Sequence, residues 1–160
     1  MTAFFDLFVS HSNPEGWADP TWADRRFSEL VAASPFHLWH PGDPIPERDV
    51  RYLIGVATWS GYDMRLLDAL AEALTAHPND PPVIDVFNTA DCPHPQDFHR
   101  YISGLGTVSH TPVMGFWNNG ELKWSGQGYD AREWIAGIFD LSSAEIAAFV
   151  QDWIKAQAHA

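Results

Sequence analysis

Residues 51–74 read RYLIGVATWSGYDMRLLDALAEAL, and within them the hydrophobic period changes once. Arg51 to Trp59 is rich in β-branched and apolar residues with almost no break, as a central strand covered on both faces would be. From Ser60 onward Met64, Leu67, Leu70, Ala71 and Leu74 recur as one face of a helix of about four turns. A buried strand that passes through a short turn into an amphipathic helix starts a β-α-β unit, so a parallel strand is expected next.

PVIDVFN (Pro82 to Asn88) supplies that strand. Further on, PVMGFW and ELKWSG are two strands joined at Asn118-Asn119-Gly120, where Asn-Gly tolerates the positive φ of a tight hairpin turn. The hairpin adds antiparallel strands to the same sheet. Between them, Pro95 to Ser103 predicts a short helix stopped by Gly104 and Gly106. DAREWIAGIF predicts a helix with Trp134, Ile135, Ile138 and Phe139 inward. SSAEIAAFVQDWIKAQAHA predicts a last one, with Ser142 and Glu145 as a capping box and Ile146, Phe149, Val150, Trp153 and Ile154 as its stripe.

On the N-terminal side, Pro20 opens a helix in which Ala23, Phe27, Leu30 and Val31 repeat; it should stop near Ser34-Pro35. FHLW (Phe36 to Trp39) predicts a short strand, and HPGDPIPERD is too rich in Pro and Gly for a regular ladder. The fold expected is α/β: a mixed sheet with helices on both faces, forming one structural domain. Residues 1–49 are an N-terminal extension packed on the core, 50–141 the core, and 142–160 a C-terminal amphipathic helix.

The chain has 160 residues, 46% hydrophobic and 14% aromatic, which suits a folded globule with a core of its own. Nine Lys plus Arg against 21 Asp plus Glu leave a formal charge of -12, so nucleic acid and anionic lipid surfaces are expected to be repelled. A single Cys excludes an internal disulfide, the N-terminus has no basic region of a signal peptide, and no apolar run reaches the roughly 20 residues a bilayer needs. The expectation is a soluble, cytoplasmic protein with no membrane and no nucleic-acid partner.

Three features, in order along the chain, resemble the thioredoxin superfamily over roughly Val50 to Phe139. VATWSGYDMRLLDALAEAL is similar to the family's strand, tryptophan, Cys-Gly-x-Cys turn and helix, with Ser60 and Asp63 where the two cysteines would stand. Thr111-Pro112 falls where the family has a cis-proline facing that turn. Asn119-Gly120-Glu121 with the later Gly126 resembles the hairpin that ends the family's sheet. The resemblance implies a thioredoxin-like core, and a groove between the turn and the proline loop that takes an extended chain by backbone hydrogen bonds beside the proline.

The chemistry departs from the family. Disulfide exchange needs a thiolate to attack and a second thiol to resolve the mixed disulfide. Ser60 and Asp63 offer a hydroxyl and a carboxyl, so dithiol oxidoreductase activity at this turn is excluded. Ser-x-x-Asp instead suits a helix cap, in which the hydroxyl accepts from an early N–H and the acid reaches back, worth about 1 kcal/mol. A catalytic use of Ser60 would be to hydrogen-bond a ligand thiol, or to act as a nucleophile with His110 as its base. Cys92 follows Asp91, which should raise its pKa. Of the eight histidines, His37 with His40 and His94 with His99 lie close in sequence, but neither spacing matches a zinc signature, and no metal or other cofactor is expected. Most of the eight tryptophans fall on apolar phases; Trp17, Trp22 and Trp39 lie outside the resemblance and dock the extension or form a contact patch.

The function expected is a non-redox, non-enzymatic, thioredoxin-like protein that binds a polypeptide partner, of the chaperone, maturation or assembly type. Its groove is Trp59, Ser60, Gly61, Tyr62, Asp63, Thr111 and Pro112, with Asp63 giving a preference for basic chains. A homodimer through the C-terminal helix is the second partner expectation. The alternatives are a thioredoxin-fold enzyme of glutathione-transferase-like or monothiol type using Ser60 or Cys92, and a structural subunit with its groove plugged by the N-terminal arm. Reduction of insulin by dithiothreitol is expected to run no faster with the protein than without it; turnover above that blank would overturn the exclusion.

Overall fold

The computed structural model of the chain describes residues 20–33, 35–76, 82–92 and 94–138. The elements are α1 (Pro20–Val31), β1 (Phe36–Leu38), β2 (Val50–Val56), α2 (Gly61–Thr75), β3 (Ile84–Asn88), 3-10 turns at Thr89–Asp91 and Pro95–Arg100, β4 (Val113–Asn118), β5 (Glu121–Gln127) and α3 (Tyr129–Ile138). The five strands form one mixed sheet in the order β1-β3-β2-β4-β5. β1 and β2 run parallel to β3, while β4 runs antiparallel to β2 and β5 to β4. The α/β class, the crossover through α2 and the antiparallel hairpin are therefore as the sequence leads one to expect. At the hairpin tip Asn119 and Gly120 take φ of 52° and 79°, which is why that dipeptide stands there. Opposite the Phe116–Trp117 step β5 carries one extra residue, Lys123, since Phe116 pairs with Trp124 and Trp117 with Leu122.

The period-2 alternation of the strands sends side chains to two different cores. Tyr52, Ile54, Val56, Ile84, Val86, Met114 and Phe116 face α1, α2 and α3, where Phe27, Leu67, Leu70 and Trp134 close the larger core. Trp124 stacks on Trp134 with centroids 4.9 Å apart. Leu53, Phe87 and Val113 face the other way, onto Trp39, Cys92, Phe98, Ile102, Leu105 and Val108. That second face differs from expectation: its described cover is 3-10 turns and irregular chain, with the α-helices all on the first. The segment Pro95–Arg100 is only six residues long, and His94 at its cap position makes no side-chain bond; so short a stretch without a side-chain cap does not sustain an α-helix by itself. The sheet also draws on the N-terminal segment, because β1 is its edge strand and α1 lies on α2 through the Arg26–Asp68 ion pair at 2.6 Å. The last helix, residues 142–160, with its capping box and stripe, lies outside the described residues, as do Trp17, Phe139 and the Ile138 side chain.

The second face also carries buried charge, Asp85 and Arg51. Asp85, fully buried on β3, accepts from Arg51 Nε at 2.9 Å, from Arg48 Nη2 at 3.1 Å and bonds to His37 Nδ1 at 2.9 Å. The Arg51 guanidinium lies between two indoles, 5.3 Å from the Trp39 centroid and 5.0 Å from Trp117. A buried carboxylate is tolerable there because it is paired with charge and hydrogen bonds on both oxygens. Asp85→Ala leaves the buried Arg51 without its counter-ion and is expected to lower the unfolding free energy by about 3–5 kcal/mol, read from urea denaturation; a loss under about 1 kcal/mol would show that the cluster contributes little.

Candidate functional site

β2 ends at Val56, and the chain turns so that Ser60 caps α2 with extended backbone, φ -87° and ψ 116°. Ser60 N–H donates to the Ala57 carbonyl at 2.9 Å, and Ser60 Oγ accepts from Asp63 N–H at 3.3 Å. The hydroxyl half of the cap is thus formed. The acid reaches past the cap: Asp63 Oδ2 accepts from Ala57 N–H at 2.9 Å, which ties the end of the strand to the first turn of the helix. Asp63 is 0% exposed, and its Oδ1 has no hydrogen-bond partner. Burial raises its pKa above the ordinary carboxyl value of 3.8; the Thr111 side chain, the Ala57 N–H, the Arg132 charge and Ser60 pull the other way.

The facing loop is held from β5. Gln127 Oε1 accepts from Ser109 N–H at 2.8 Å and from His110 N–H at 3.1 Å, and Gly128 N–H donates to the Pro112 carbonyl at 2.8 Å. Gly128 has φ +62°, and a Cβ there would stand 2.8 Å from His110 Cβ, so the close approach of the loop needs glycine. The Thr111–Pro112 peptide is cis. Thr111, half-buried, sits beside the Asp63 carboxyl, so the turn and the loop, 48 residues apart by number (111 minus 63), meet over one acid.

Around that acid the expected site residues divide. Trp59 is 56% exposed and Tyr62 37%, whereas Ser60, Gly61, Asp63 and Pro112 are buried. Two expectations are corrected by this. Asp63 presents no charge to the surface, so it gives no preference for basic chains. The Ser60 hydroxyl is not an exposed donor for a ligand thiol, since it is buried and already accepts within the cap. His110 is exposed, and its Nδ1 bonds to Ser109 Oγ at 2.9 Å. Cys92 is buried, and its thiol is pushed up to about 11 by burial first and then by Asp91 and Asp97, so at neutral pH almost none of it is the nucleophilic thiolate. His37 is bonded to Asp85 and His40 lies 3.5 Å from Asp91. Among the described residues no group of three His, Cys, Asp or Glu is placed to hold a metal ion, and no helix is long and apolar enough to cross a membrane.

Sequence reasoning missed Arg132 and Gln127. The Arg132 guanidinium lies 5.2 Å from the Tyr62 ring centroid, its Nε is buried without a partner, and its charge reaches Asp63. Arg132 falls on the polar phase of α3, and only the packing of α3 beside α2 shows what it faces. The signal for Gln127 was the adjacent Gly128, since a glycine closing a strand can mark a close backbone approach.

The raised Asp63 pKa has a definite sign in stability. The folded state holds its proton more tightly than the unfolded state, so the carboxyl contributes most below pH 3.8, and that contribution is lost as pH rises through the folded value. Asp63→Asn keeps an acceptor for Ala57 N–H without the charge. Its stability relative to wild type is expected to increase with pH from about 4 upward, by up to about 1.4 kcal/mol per pH unit until the folded pKa is passed. Urea midpoints at pH 4, 6 and 8 check this; a constant difference would mean that Asp63 does not titrate differently in the folded state.

No family model, no curated protein and no solved structure matches the chain.

Proposed function

We propose that this chain is a non-redox, thioredoxin-like domain that binds a polypeptide partner at the surface between the Ser60 turn and the Thr111–Pro112 loop. The observation that carries the reading is the exposure of Trp59 and Tyr62 beside a turn whose polar atoms point inward. These are two of five large exposed hydrophobics among the described residues. Large aromatics at a surface contribute most to recognition, and a buried, already bonded Ser60 and Asp63 leave little for turnover. The thioredoxin-like part of the reading is supported by the β2-α2-β3 crossover, the antiparallel β4-β5 hairpin and the cis Thr111–Pro112 peptide.

The partner is a chain of low net negative charge or a basic one, because the protein's own charge of -12 repels acidic surfaces. That preference comes from the whole molecule and not from Asp63. Placing an arginine at Thr111 adds bulk and charge at the centre of the proposed groove. In affinity capture from host extract, Thr111→Arg and Trp59→Ala are each expected to recover the wild-type partner at least tenfold less efficiently, with the fold verified by circular dichroism. Equal recovery by both variants would sink groove binding.

A further inference from the structure

A second concave surface lies at the other end of β2. Arg51 is the second residue of that strand and Ser60 lies beyond its end at Val56, so Arg51 is separated from the strand's far end by roughly 17 Å of extended chain. The cleft has a volume of about 790 Å³, within the range of small-molecule sites, and is lined by Arg48, Arg51, Tyr101 and Trp117, with Glu47 and Asp49 also on its wall. Its chemistry is set by the Asp85 cluster. Two guanidiniums, Arg48 and Arg51, share one carboxylate, which leaves one positive charge in excess where Arg51 is only 3% exposed. Arg51 Nη2 is buried and has no hydrogen-bond partner, although Nε is satisfied by Asp85. A guanidinium donor left without an acceptor in a protein interior is costly, and the partner it lacks is an anion or a carbonyl.

We propose that this cleft binds a small aromatic carboxylate, its acid group toward Arg48 and Arg51 and its ring against Trp117 and Tyr101. The planar guanidinium matches a carboxylate in two-point geometry, and the indole and phenol supply flat apolar walls. One excess positive charge suits a singly charged ligand. A doubly charged phosphate would find no counter-charge for its second charge in the Asp85 cluster, and Glu47 and Asp49 also stand on the cleft wall. Those two carboxylates are exposed, so water and salt screen them, whereas the buried Arg51 acts at close range. The site is independent of the groove proposed above and could stand if that reading fell.

The probes are benzoate, its neutral isostere benzamide, and inorganic phosphate, each titrated into the full chain and followed by amide and indole ¹H–¹⁵N shifts. Benzoate is expected to saturate with one site and to bind at least tenfold more tightly than benzamide or phosphate. Arg51→Gln can fail to fold because it strands Asp85, so the variant to use is Arg48→Gln, which leaves Arg51 and His37 on that carboxylate. Arg48→Gln is expected to weaken benzoate at least fivefold. Three results would overturn the proposal: no saturation by 20 mM benzoate, benzamide binding as well as benzoate, or unchanged affinity in Arg48→Gln. Preferential binding of phosphate would replace the carboxylate class and count against it equally.

Discussion

The Asp63 carboxyl accepting from Ala57 N–H is the contact on which the exposed end of this molecule depends. It joins the first residue after β2 to the first turn of α2 in a place that excludes water. Because the acid occupies the interior of the turn, Ser60 is drawn in as the cap, and Trp59 and Tyr62, its neighbours in sequence, are left at the surface. The same carboxyl lies beside Thr111, so the turn and the proline loop share one buried group. The hydroxyl and the carboxyl of the turn are both engaged in building that end of the molecule.

The sheet holds a second buried carboxyl, and the two are treated in opposite ways. Asp85 has Arg51, Arg48 and His37 around it and both oxygens bonded. Asp63 has one N–H on Oδ2 and an Oδ1 without a partner, and against its burial stand the Thr111 side chain, the Ala57 N–H, the Arg132 charge and Ser60. Burial raises the pKa of Asp63 and favours its proton, whereas Asp85 is enclosed by ion pairs and hydrogen bonds. The polar chemistry of the fold therefore gathers at the two ends of β2. At one end a buried acid shapes an aromatic surface; at the other, guanidiniums in excess of their carboxylate border a cleft.

Much of the fold was legible because it follows from local periods. β2 and α2 appear in residues 51–74 as a continuous apolar run that becomes a 3.6-residue repeat, and Asn119-Gly120 marks its hairpin by the positive φ both residues accept. The Pro95 segment was harder: Pro95 to Ser103 reads as a short helix, but only Pro95–Arg100 winds, as an uncapped 3-10 turn that sets Phe98 and Ile102 into the second core. The site was legible only as a location. That Trp59 and Tyr62 face outward while Asp63 faces inward depends on α3 and the Ser109–Pro112 loop, which come roughly fifty to seventy residues later. Asp85 looked like an ordinary member of a core strand, and its partners Arg48 and Arg51 are more than thirty residues earlier.

By itself the sequence determined the α/β class, the absence of a dithiol at the turn, and the capping role of Ser60, since each depends on residue type and short-range spacing. Only the tertiary structure decided which polar groups are buried and which aromatic ones are exposed. The physical reason is that burial and its electrostatic cost are properties of the whole surroundings. Asp63 and Asp85 are the same side chain, and one lies buried beside Thr111 with an oxygen unpartnered while the other lies among arginines because of what other elements bring to them.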